Sequence, residues 1–328
     1  MGAGSGAEMT SGSRFSPSNP LWYEDLAPRD STVDFSGKLD IRLLDQDINH
    51  IDDNYLEISR TSSVLRGGGL FIGIVFFLLI SVGFVPVIVM MGEQFFTALP
   101  WGTAVIIAML IGLSVMALRF IIFDCRLPRD TPVRFNRIEQ KIYAYEYIQS
   151  FSSFKPWRGR VKVYDWDCVE AEIAKLSGFT GKAYVVRYEL HLVICRPGTN
   201  EAVDRIALKK NDVTGLTFCE LWSYIRRYMA DGTHSLPPLR ERDQDVGFLK
   251  SLFSYMPYAS PTEEGQRFRK NMRWIDYCLA LLLVWFFWLW IPLGICHYIA
   301  MRCAPAPQWP SEIDIESRSL LKSPQPEL

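Results

Sequence analysis

Asp45, Asp47, Asp52 and Asp53 stand close together in the sequence, and a calcium loop is the chemistry they invite. An EF-hand loop needs a glycine at its sixth position and a glutamate at its twelfth. Counted from Asp45, the sixth residue is His50 and Glu57 falls one place late, so the run reads as a solvated acidic turn. The seven cysteines, Cys125, Cys168, Cys195, Cys219, Cys278, Cys296 and Cys303, contain no CxxC pair. That pattern fits reduced thiols in a cytosolic domain rather than a disulfide framework or a zinc site. The four histidines, His50, His191, His234 and His297, are scattered, with no HExxH face. There is no GxSxG elbow, no P-loop and no glycine-rich dinucleotide turn. His191 falls inside a predicted strand, as a surface or cross-strand residue. The sequence therefore predicts no catalytic residue, no metal, no cofactor and no enzyme activity.

What the rest of the chain is organised around is a pair of membrane helices. Leu70 to Met91 carries no charge and is long enough to cross a hydrocarbon layer of about 30 Å. A short polar break at residues 92–97 leads into Ala98 to Leu118, again uncharged. Pro86 is expected to kink the first helix. Gly69 and Gly73 make a small-xxx-small face on the first helix, and Ala104, Ala108 and Gly112 make a flat face on the second. The two faces are expected to pack on each other within the hairpin, with a homodimer seam as the sharper alternative. A third apolar run, Tyr277 to Met301 within residues 275–301, is expected to span as well, with a kink at Pro292. Its rings at Trp285, Phe286, Phe287, Trp288 and Trp290 are expected to fill gaps against the hairpin.

Arginine and lysine set the orientation. Arg60 and Arg66 precede the hairpin, Arg119, Arg126 and Arg129 follow it, and Arg269, Lys270 and Arg273 precede the third run. The positive-inside rule then places the N-terminus and residues 119–274 in the cytoplasm and the C-terminus in the periplasm of a bacterial inner membrane. Neither span of the hairpin carries an ionisable residue at its middle, which argues against ion transport. A formal net charge of -1 and the lack of a basic stripe interleaved with stacking aromatics argue against nucleic-acid binding.

The outer segments divide by composition. Residues 1–20 and 302–328 read as disordered tails and 21–66 as a cytoplasmic N-terminal segment, with a strand pattern at Lys38 to Asp45. Residues 67–123 hold the hairpin. Residues 124–274 read as a cytoplasmic β-rich domain. Tyr143, Tyr145 and Tyr147 alternate, and Tyr184, Val186, Tyr188, Leu190, Leu192 and Ile194 share a strand face opposite Arg187, Glu189 and His191. A helix capped by Asp212 then buries Leu216, Leu221, Trp222, Ile225, Tyr228 and Met229, shows Glu220, Arg226 and Arg227 to solvent, and ends at Gly232. The fold class is an α+β membrane protein, its antiparallel β domain closed by an amphipathic helix as a pleckstrin-homology-like barrel or as an α+β sandwich of one sheet with one helix.

The acidic segment Asp45-Gln-Asp-Ile-Asn-His-Ile-Asp-Asp-Asn-Tyr-Leu-Glu57 before a membrane hairpin, then Pro132-Val-Arg-Phe-Asn-Arg137 and Lys141-Ile-Tyr143, resembles an uncharacterised family of proteobacterial membrane proteins associated with type VI secretion toxins. That resemblance implies an immunity protein that binds and neutralises a cognate toxin, pore-forming or membrane-attacking; the apolar spans add membrane lipids as partners, and the small-residue faces leave a homo-oligomer open. The alternative is a membrane-anchored scaffold or signalling module whose β domain binds a protein or an anionic lipid.

Overall fold

The computed structural model describes residues 12–31, 47–60, 66–98, 100–148, 157–179, 184–212, 215–239, 241–242 and 245–318. The strand expected at Lys38 to Asp45 lies outside them. Among the described residues nine strands form two antiparallel sheets. One runs β2 (Ile48–Ile51), β3 (Tyr55–Ile58), β4 (Val133–Asn136), β5 (Lys141–Ile148), β6 (Arg158–Asp165). The other runs β1 (Trp22–Asp25), β7 (Val169–Phe179), β8 (Tyr184–Cys195), β9 (Ala202–Asp212). Their inner faces meet in one core: Leu56, Ile58, Phe135 and Ile142 from the first sheet against Ile173, Leu190, Leu192 and Ile206 from the second. The alternation read along residues 184–195 is the physical cause, since period-two burial is what a sheet with one face inward requires.

Two sheets, rather than one, enclose that core, and they do not join into a closed barrel. The acidic run at residues 47–53 is itself part of the first sheet. Its aspartates flank β2, and Asp52 Oδ1 accepts the backbone N–H groups of Asn54 and Tyr55, each at 2.8 Å, to turn the chain into β3. Strands β1 to β3 all precede the membrane hairpin, so residues 21–31 and 47–60 belong to the β unit. Strand β3 pairs with β4 from Tyr55↔Asn136 to Ile58↔Val133. The hairpin is therefore inserted between two neighbouring strands, and the sheet holds both of its ends.

Helix α4 is the amphipathic closure (Leu216–Asp231). Gly215, with φ 72°, starts it, while Asp212 remains in β9 opposite Tyr188, so the expected Asp212 cap is not used. Gly232, with φ 77°, ends it as expected. Glu220 and Arg226 are buried rather than solvent-facing. Residues 27–31 lie over the helix: Arg226 Nη1 donates to the carbonyls of Ser31 at 2.6 Å and Pro28 at 3.2 Å, and Trp222 Nε1 donates to Ala27 at 2.8 Å.

The hairpin begins with α1 (Gly68–Leu78), which passes through a π-helical stretch at Leu79–Phe84 into α2 (Val85–Ala98). Val85 N–H bonds to Ile80 O in this stretch, so the helix absorbs the missing donor of Pro86 by widening, and Gly68–Met90 remains one span. Gly92, with φ 70°, is the only residue of α2 with non-helical backbone angles, and helical turns continue to Ala98 where a polar loop was expected. The return span is α3 (Pro100–Arg126). Both spans are long and apolar enough to cross a membrane.

The third apolar run is not one straight span. It forms α7 (Trp274–Val284) and α8 (Phe287–Cys303), which meet at 87°, after the short α5 (Phe248–Leu252) and the basic α6 (Glu263–Lys270). The bend sits at Trp285–Phe286, and Pro292 lies inside α8 without breaking it. Trp285, Phe286, Phe287 and Trp288 are exposed rather than packed on the hairpin, and Trp290 is only half-buried. Beyond α8 the chain comes back to the first sheet, where α9 (Ser311–Arg318) docks. Residues 304–318 thus pack on the β unit, within the stretch 302–328 that was expected as a tail.

Candidate functional site

The outer face of each sheet is covered by one end of the chain. On the first sheet, the strand positions opposite the core carry Tyr55, Glu57, Arg134, Tyr143 and Tyr145. Arg134 is the hub. Its Nη2 and Nε donate to Glu57 Oε2 at 2.9 and 3.1 Å, and its Nη1 donates to Asp314 Oδ1 at 3.2 Å. The guanidinium lies 4.2 Å from the centre of the Tyr55 ring and 4.5 Å from that of Trp309. Trp309 Nε1 donates to the same Glu57 oxygen at 3.0 Å, and its ring meets Tyr145 edge-on at 5.4 Å. The segment 305–318 is thereby strapped to the sheet through a buried cation, two carboxylates and three rings.

The strap is also expected to respond to pH. Lys141 Nζ donates to Glu316 Oε1 at 2.8 Å, and this bond, opposed by burial, holds the Glu316 carboxyl below its ordinary value of 4.5. A depressed carboxylate contributes stability that is fully present above the unfolded value and is lost as pH falls through the folded one. Docking of α9 is therefore expected to weaken modestly once pH drops below about 4.5, since the pair is partly solvated. Faster protease cleavage within residues 304–318 at acid pH than at neutral pH, corrected for the protease's own profile, checks this.

On the second sheet the strap is N-terminal. Phe15 is buried beside Val193 and Cys195, Ser16 N–H bonds to Asn200 O at 2.9 Å, and Arg14 Nη2 donates to Glu170 Oε2 at 2.8 Å. Asn19 Nδ2 donates to the fully buried Glu172 at 2.9 Å, and Arg205 Nε reaches the same oxygen at 2.9 Å. Residues 12–20, expected as a disordered tail, are therefore part of the β unit; residues 1–11 and 319–328 lie outside the described ones.

The membrane foot is a third polar node. Asp124 Oδ2, at the base of α3, accepts Leu70 N–H at 2.9 Å and so caps a donor that the start of α1 leaves free. Arg66 donates to the carbonyls of Leu127 and Pro128, and the Tyr255 hydroxyl donates to Arg66 O. Cys296 and His297 of α8 press against Gly67.

The expected packing residues separate here. A Cβ on Gly69 would lie 3.1 Å from Phe120 O, and one on Gly73 would lie 2.5 Å from Ile121 Cγ1 and 2.8 Å from Ala117 O, so both glycines are true contact points with α3. Ala104, Ala108 and Gly112 do not face them. All three are exposed, and nothing lies within 4 Å of a Cβ placed on Gly112. Of the basic residues, Arg119, Lys270 and Arg273 are exposed and Arg126 is half-buried. Arg129 Nε bonds to Ala304 O at 3.1 Å and Arg269 Nη1 to Ser260 O at 2.6 Å, tying the foot together.

His191 touches Glu189 at 3.1 Å and Asn19 at 3.4 Å, and His50 sits between Asp52 at 3.1 Å and Glu241 at 2.7 Å. Neither ring is hydrogen-bonded to a serine, threonine or cysteine nucleophile there. Among the described residues no group of three or more His, Cys, Asp or Glu side chains could hold a metal. A cleft of about 390 Å³ is lined by Arg60, Thr131, Glu146, Arg205, Lys210 and residues 206–208.

A family of unknown function, DUF6708, matches residues 108–320. The chain belongs to that family. The DUF6708 match starts inside α3 and ends just past α9, so it takes in Arg134, Trp309 and Asp314 together. The C-terminal strap is thus part of the DUF6708 unit, while β1 to β3 and the first arm of the hairpin precede it. No curated protein and no solved structure is similar enough to match.

Proposed function

We propose that the chain is a membrane-resident immunity protein that binds and neutralises a cognate secreted toxin, in a bacterial inner membrane with its β unit on the cytoplasmic side. The observation that carries the reading is the insertion of the hairpin between β3 and β4. A binding module whose sheet holds both ends of the membrane hairpin is positioned against the bilayer, where a pore-forming or lipid-attacking toxin works. Binding requires a surface rather than a reactive centre. Strand β6 offers one: it ends the order of its sheet, Arg158 and Arg160 are exposed along it, and an acidic extended segment of a toxin could add there as a further strand. The same cations discourage pairing with a like edge. The order β3 to β6, β7 to β9 and then α4 supports a pleckstrin-homology-like plan, split by the hairpin and extended by β1 and β2.

The scaffold reading is favoured by a different observation, the cations Arg60, Arg205 and Lys210 around the cleft, which suit an anionic group. Co-expression decides between the two. The neighbouring gene upstream is directed to the cytoplasm or the periplasm of a naive bacterium, with and without this chain, and survival and membrane potential are followed. Killing that this chain abolishes is the expected result, and Arg158→Glu with Arg160→Glu should weaken the protection. A harmless neighbour in both compartments overturns the immunity reading.

A further inference from the structure

The bent pair α7–α8 leaves its apolar rings uncovered. Trp274, Leu281, Trp285 and Trp288 are 77%, 78%, 79% and 61% exposed, far more apolar surface than water tolerates on a helix pair. Yet the pair bends by 87° at its middle, the geometry of a broken span or of a re-entrant loop. Helix α7 has 11 residues, about 16 Å of rise, roughly half of a ~30 Å hydrocarbon layer. From the bend, α8 runs only as far as Gly294 before it meets Leu252 of α5 and then Gly67 at the foot of the hairpin. Helix α7 starts just after Arg269, which is tied to Tyr258 O and Ser260 O close in sequence to Tyr255 of the foot, and two arms meeting at 87° from such an origin can reach about 12 Å into a membrane, the depth of one leaflet.

The bend is built for a dry environment. A broken helix in hydrocarbon must satisfy its freed backbone groups internally. Leu283 O, released at the end of α7, accepts Phe286 N–H at 3.0 Å and also the indole Nε1 of Trp290 at 3.2 Å. Phe286 O accepts Leu289 N–H at 2.9 Å and Trp290 N–H at 3.1 Å. The polar end of the pair lies at the other extreme: Asp276 Oδ2 accepts Arg273 N–H at 2.8 Å at the start of α7, and Arg267, Arg269 and Lys270 of α6 precede it.

We infer that α7–α8 is a re-entrant wedge that enters only the leaflet next to the β unit, with lipid acyl chains as the occupant of its exposed face and the basic α6 at the headgroups. The wedge is independent of the toxin reading. It rests on the packing of α8 along both arms of the hairpin and on Arg267, Arg269 and Lys270 in the last turn of α6, which outnumber Glu263 and Glu264 at its start.

Sidedness and depth test it on the full chain. Reporters placed in the exposed β8–β9 turn at residues 197–200 and after residue 328 are probed with a membrane-impermeant reagent in spheroplasts and in inverted vesicles. Both should react from the same side; reaction from opposite sides makes the run a single span and overturns the wedge. The purified chain is then placed in phosphatidylcholine vesicles brominated at the middle of the acyl chain, and tryptophan quenching is measured. Trp285→Phe with Trp288→Phe should at least halve the quenched fraction. Unchanged quenching in that double variant means the rings do not enter the leaflet and also overturns the proposal. The phenylalanine substitutions keep the apolar bulk, so folding is preserved.

Discussion

Arg134→Ala is expected to destabilise the β unit by about 3–5 kcal/mol, the range for breaking a buried ion pair by removing one partner. The cost comes from what stays behind. Glu57 is 8% exposed, and without Arg134 its charge faces the interior with only the Trp309 indole and Asn49 near it. Asp314 loses its link to the sheet, and the Tyr55 and Trp309 rings lose the cation between them. Two readouts follow from the geometry. Denaturant unfolding of the solubilised chain should show the loss of stability. Proteolysis within residues 304–318 should accelerate even where the rest stays folded, because Arg134 connects that segment to β4. Arg134→Met combined with Glu57→Leu removes both charges and should recover much of the stability of the sheet, though not the anchoring of Asp314. A loss below about 1 kcal/mol for Arg134→Ala would mean the node is solvated, as surface pairs are, and that the strap is held by Trp309 packing alone.

This node shows why some of the molecule could be read from sequence and some could not. Period-two alternation located β8 to its ends, because one face of that strand is in the core and the other is not. Arg134 sits in an equally regular strand, but its burial depends on a segment far along the chain that covers the outer face. No local pattern encodes that cover. Proline density made residues 302–328 look unstructured, yet Trp309 followed by Ser311-Glu-Ile-Asp-Ile-Glu316 carries a usable signal: a large ring rare in disordered segments, then a helix with Glu312 and Asp314 in its first turn and Arg318 in its last. Arg226 fails for the same reason as Arg134. Its position on α4 is polar by pattern, and residues 27–31 bury it. In the membrane part, apolar length identified both arms of the hairpin. The third run satisfied the same length test but not the geometry, because composition does not report a break that Trp290 stabilises from within. The small residues on α3 were visible, but which of them meets α1 depends on rotation about the helix axis, and the contact falls on Ala117, Phe120, Ile121 and Asp124.

That rotation gives a second large effect with its own control. Gly67→Ala is expected to cost about 3 kcal/mol or more. The residue has φ +84°, where an L side chain costs roughly 1–2 kcal/mol. The new Cβ would also overlap the backbone of Cys296 and His297. Backbone atoms cannot rotate aside, so α8 must lift from the foot, adding overpacking of about 1–3 kcal/mol. Gly73→Leu should act similarly on the contact between α1 and α3, although there Ile121 can give part of the way by changing rotamer. Gly112→Ala is the control, since nothing lies within 4 Å of its Cβ. It should change stability by no more than about 0.5 kcal/mol, as surface substitutions do, or improve it slightly through helix propensity. Thermal denaturation of the three variants in one detergent separates the cases. Equal losses at Gly67 and Gly112 would mean that the exposed face of α3 is covered in the working molecule by a second copy of the chain. A loss at Gly67 and Gly73 with none at Gly112 places the tight packing at the base of the hairpin, where the sheet, the wedge and the membrane spans converge on Arg66 and Asp124.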